Sequence, residues 1–71
     1  MDSLDWLILS TANAKVVSLE ELLSLAKATI DSAMMDIEVI NAVEDLKTEG
    51  LLYASDNCNE IISIINIDTL T

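Results

Sequence analysis

The sequence predicts an α+β domain: three helices, then a small C-terminal β-hairpin, with a short strand after the first helix. Three observations carry this. Three segments place apolar residues at helical spacing behind a residue able to cap a helix. Gly50, the one glycine of the chain, falls where the third segment must turn left-handed. Beyond it stand two strand-like runs around an Asx-rich turn, "DNCN". Residues 1–71 read as a single domain, near the lower size limit for a core that is stable without staples.

In residues 3–12, "SLDWLILSTA", Leu4, Leu7 and Ile8 recur at helical spacing and Asp5 lies in the first turn. Asp2 and Ser3 can both accept a free backbone N–H there, and Ser3 is expected to be the cap. "NAKVVS" follows, and its paired Val16 and Val17 read as a short extended piece. "SLEELLSLAKATI" has the clearest helix start in the chain. Ser18 and Glu21 form a capping box, and Leu19, Leu22, Leu23 and Ala26 share a face. "DSAMMD" is polar punctuation around two methionines, after which Asp36 is placed to cap a third helix. Within that helix Val39, Ala42, Val43 and Leu46 follow the i, i+3, i+4, i+7 pattern. "LLYAS" and "EIISIINI" then form the hairpin. The expected core is Leu4, Leu7, Ile8, Leu19, Leu22, Leu23, Ala26, Val39, Ala42, Val43, Leu46, Leu51 and Tyr53.

This order of elements resembles a winged helix-turn-helix domain. "VSLEELLSLA" is similar to that family's second helix, and "VINAVEDLKTEGLLYASD" to its third helix and first wing strand. The likeness covers nearly the whole chain and rests on packing and turn positions, none of them catalytic. "TIDSAMM", between helices two and three, is longer than the family pattern. Small winged helices of the ferrous-iron transport accessory type carry several cysteines in the wing. Cys58 alone cannot reproduce such a cluster without several chains.

Composition excludes several functions. Net charge is −10, from 13 acids against three lysines and no arginine, so nucleic acids and anionic membranes should repel the chain. From residue 36 onward there are eight acids and one lysine. The start, "MDSLDW", is acidic where a secretory signal is basic, and "IISIINI" is too short to span a bilayer, so a cytoplasmic protein is expected. One cysteine and no histidine leave no internal disulfide, no zinc site of the usual kind, and neither base nor activated thiol for nucleophilic catalysis. Cys58 is expected to be an exposed residue at the wing tip. The acid pairs at 20–21 and 44–45 lack calcium-loop spacing. The reading is a protein without catalytic, metal, cofactor or small-molecule site.

"DSLD" at residues 2–5 also occurs around the pantetheine-bearing serine of acyl carrier proteins. That serine begins the second long helix of its fold, whereas two residues precede Ser3 here. The strand character of "IISIINI" has no place in a four-helix carrier. Ser3 therefore reads as a helix start.

What remains is surface. The chain is 52% hydrophobic, with Trp6 and Tyr53 its only aromatics, a surplus that predicts self-association or a partner surface. With Val39, Ala42, Val43 and Leu46 inward, the third helix turns Ile37, Asn41, Glu44, Asp45 and Thr48 outward. Only Asn41 suits a base edge, and Glu44 and Asp45 would oppose phosphate, so direct DNA binding by the monomer is not expected. In the last strand Ile61, Ile65 and Ile67 share one face with Ser63, while Ile62 and Ile64 share the other with Asn66. A strand apolar on both faces needs cover from the first helix or from a partner. The expected function is non-catalytic protein–protein interaction, as a homodimer or a small regulatory subunit. Contacts are assigned to Ile37, Ile40, Asn41, Glu44, Asp45, Ile65 and Ile67, with the two acids tuning partner choice. The alternatives are an acidic DNA mimic that occupies a basic groove, and a winged-helix regulator that binds DNA only within a complex.

Overall fold

The computed structural model describes residues 2–65. The elements are α1 (Ser3–Thr11), α2 (Leu19–Thr29), α3 (Asp36–Thr48), β1 (Leu52–Ala54) and β2 (Ile61–Ser63). Three helices and an antiparallel hairpin make the α+β layout.

Side-chain caps start α1 and α2 but not α3, and two of the three starts differ from expectation. Asp2, not Ser3, caps α1: its backbone is extended and its Oδ1 accepts the Asp5 N–H at 2.9 Å, leaving Ser3 as the first helical residue. Ser18 caps α2, its hydroxyl accepting the Glu21 N–H at 3.3 Å. Asp36 does not cap α3. Met35 takes that position without a side-chain bond, and Asp36 enters the first turn, where its charge suits the helix dipole. There it accepts a charged hydrogen bond from Lys27 at 2.8 Å, linking α2 to α3. Both partners are exposed, so the pair contributes no more than about 1 kcal/mol.

The end of α3 sets the hairpin. Gly50 adopts φ +80°. Its N–H donates to the Lys47 carbonyl (3.1 Å) and that of Leu51 to the Leu46 carbonyl (3.0 Å). These are the two bonds of a Schellman cap. Leu51 is thereby committed to the cap, and the strand starts one residue later.

Tyr53 lies opposite Ile62 in the hairpin, Leu52 opposite Ser63 and Ala54 opposite Ile61. On the other side of β2, Val17 and Ile61 exchange N–H to carbonyl bonds, both 2.8 Å, in a single antiparallel bridge. The Ser63 N–H donates to the Ala12 carbonyl at 3.1 Å. β2 therefore lies between β1 and the connection that joins α1 to α2.

The core gathers Ile8, Leu9, Ala12, Val17, Leu22, Ala26, Val39, Ala42, Val43, Leu46, Leu52, Ala54 and Ile61. Helical spacing located most of its helical part. Leu4, Leu7, Leu19, Leu23 and Leu51 are half-buried against it rather than enclosed. Tyr53 is a correction: it is 51% exposed, because the inward positions of β1 are Leu52 and Ala54. Among the described residues no helix is long and apolar enough to cross a membrane.

Candidate protein-interaction surface

Alternation along an antiparallel pair decides which hairpin residues face out. The Ile64 N–H donates to the Leu51 carbonyl and the Ser55 N–H to the Glu60 carbonyl, both at 3.0 Å. In that register Leu52, Ala54 and Ile61 point to the core, and Tyr53, Ile62 and Ile64 form the opposite face. Val16 precedes the bridging Val17, so it joins this outer face, opposite Ile62. Val16 is 56% exposed and Ile64 61%. The outer face is thus an apolar row across three segments of chain, uncovered by α1, whose C-terminal end meets β2 at its edge.

The contact residues read from sequence are distributed as follows. Ile37 is exposed in the first turn of α3, and Met35, Ile30 and the half-buried Met34 stand in the connection just before it. Ile40 is half-buried. Asn41, Glu44 and Asp45 are exposed along α3. Ile65 is half-buried just beyond β2, its carbonyl accepting the Ser63 hydroxyl at 2.6 Å, and Ile67 lies outside the described residues. The structure turns Ile64, not Ile65, most fully to solvent. Val16 and Tyr53 were absent from the sequence-level contact set. The paired valines were its available signal: a two-residue extended piece buries one side chain and shows the other.

Charge collects elsewhere. Asp5 at the start of α1 lies near Asp45 and Glu49 at the end of α3. Its carboxyl is held above the ordinary range, first by partial burial and then by Asp2, Glu49 and Asp45. The two helix ends thus form one acidic surface.

Cys58 also departs from expectation. It is half-buried against the core, at φ +58°, rather than exposed at the wing tip. Its N–H donates to the Ser55 carbonyl and its own carbonyl accepts the Leu19 N–H, both at 2.9 Å. The Asn57 side-chain oxygen accepts from the Ser55 hydroxyl (3.1 Å) and the Asn59 N–H (3.2 Å). The hairpin turn is therefore folded inward and satisfies one of the free donors at the start of α2. Among the described residues, no three or more His, Cys, Asp or Glu side chains are grouped to hold a metal ion.

The chain matches no family model, no curated protein and no solved structure.

Proposed function

We propose that this chain is a non-catalytic protein-interaction module of winged-helix type, acting in the cytoplasm as a homodimer or a small regulatory subunit. The observation that carries the reading is the outer face of the hairpin, where Val16, Tyr53 and Ile64 are each more than half exposed and Ile62 completes the row. Water-exposed apolar side chains grouped on one face favour burial against another protein. The strand order, with β2 between Val17 and β1 and the hairpin directly after α3, supports the winged-helix comparison. Acids on the outward side of α3 oppose DNA there.

A second reading, an acidic DNA mimic, draws support from the like charges at the joined ends of α1 and α3. Light scattering after size exclusion, at low and high salt and with a random duplex, separates the two. The interaction reading expects self-association or partner binding that is nearly indifferent to salt, ignores the duplex and is lost in Ile64→Asp. A mimic expects binding to basic partners that collapses as salt rises. Ile40 is a poorer probe, since its half-buried side chain also supports the fold.

A further inference from the structure

The corner between α2 and α3 breaks a local rule. Met35 holds the N-cap position of α3, where Ser, Thr, Asp or Asn would accept a free N–H, and it makes no side-chain cap bond. It is instead 65% exposed, with Ile37 51% and Ile30 40% exposed close by in the chain. Met34 is half-buried against the core, and Ile40, one turn on from Ile37, is half-buried too. A cap forgone for an exposed methionine, among other exposed apolar residues, points to a use outside the fold.

The corner is tight. The Ile30 and Asp31 N–H groups both donate to the Ala26 carbonyl (2.9 and 3.2 Å), and that of Met34 donates to the Asp31 carbonyl at 3.0 Å. The Ala33 N–H donates to Asp31 Oδ1 at 2.9 Å, and the Lys27–Asp36 ion pair ties the end of α2 to the start of α3. These bonds spend donors of the turn within it, so the corner offers a partner apolar side chains rather than a strand edge. An amphipathic helix, whose own backbone is satisfied, matches such a surface, and flexible methionines adapt to it. Charge selects the kind of helix. Between Lys27 and Lys47 the chain carries five acids and no base, and Lys27 is already taken by Asp36. Glu44 follows Ile37 and Ile40 on the outward side of α3, while Lys47 stands at the far end of that helix, by the hairpin. A second copy is a poor occupant, because two-fold pairing would set these acids against themselves. We propose that this corner docks an amphipathic helix of a partner protein, its apolar stripe flanked by lysine or arginine. This rests on the interaction-module reading and gives the module a surface separate from the hairpin face.

The test is an NMR titration of the full chain with an acetylated, amidated amphipathic helix of leucine and lysine, roughly five turns long. Three comparisons run beside it: the same residues reordered to leave no apolar stripe, a glutamate-for-lysine counterpart, and the Met35→Ser chain. Met35→Ser keeps the charge and supplies a capping hydroxyl, so its thermal midpoint should equal or exceed that of the parent. Saturable shifts of the amides from Ile30 to Ile40 are expected, with binding at least tenfold weaker in all three comparisons. Equal binding by either altered peptide, or by Met35→Ser, would overturn the proposal. So would shifts centred on Val16, Tyr53 and Ile64, or no binding at all. Should Met35→Ser fail to fold, Ile37→Gln takes its place under the same expectation. Salt-indifferent self-association lost in Ile64→Asp, alongside a failed titration, would retire the docked helix and leave the interaction module standing.

Discussion

Gly50 and Asp5 show how single residues tune this fold, one through the backbone and one through charge. A Cβ at Gly50 would meet nothing within 4 Å, so the cost of Gly50→Ala is the left-handed backbone itself. A loss of about 1–2 kcal/mol in urea unfolding is expected, and a smaller loss for Gly50→Asn. Asp5 has its folded-state pKa raised, so the folded chain binds its proton more tightly than the unfolded chain does. Its contribution to stability therefore falls as pH rises through the window from the ordinary carboxylate value to the raised one. Asp5→Asn should accordingly be more stable than the parent at neutral pH, and that advantage should vanish in acid below the window. Urea midpoints at the two pH values check both statements. Gly50 was legible because one residue type alone takes its conformation freely. The choice between Asp2 and Ser3 was not, since both types cap equally well.

At the level of elements, the helices were easier to read than the hairpin. Spacing alone placed Val39, Ala42, Val43 and Leu46 inward, because four inward positions in one helix over-determine its face. "LLYA" offers no comparable redundancy: shifting it by one residue exchanges its two faces, and both are apolar enough to be inner. The Schellman cap made the choice by taking the Leu51 N–H. Two substitutions report this register. Leu52→Ala is expected to cost about 2–5 kcal/mol, as a buried leucine that leaves a cavity. Tyr53→Ala should cost less than about 1 kcal/mol, the scale of a cross-strand contact with Ile62. The expected core, with Tyr53 inward, would give the opposite ranking in thermal unfolding.

For the whole molecule, composition announced both an apolar surplus and a charge excess, while their places on the surface came from long-range pairing. Nothing local in "AKVVS" says that Val17 will bridge Ile61 and leave Val16 outward; that depends on a strand far along the chain. The charge has a consequence of its own. Thirteen acids against three lysines repel one another in the compact state, so added sodium chloride should raise the unfolding midpoint in urea, where a balanced surface would respond little. The same long-range pairing bears on synthesis. Val17, Ala12 and the start of α2 are completed by Ile61, Ser63 and Cys58, so the first half of the polypeptide leaves the ribosome without its closing partners. The helices can form in passing, but the sheet cannot shut until the last strand has cleared the exit tunnel. Until then a nascent chain presents Ile8, Leu9 and Val17 to whatever chaperone waits there.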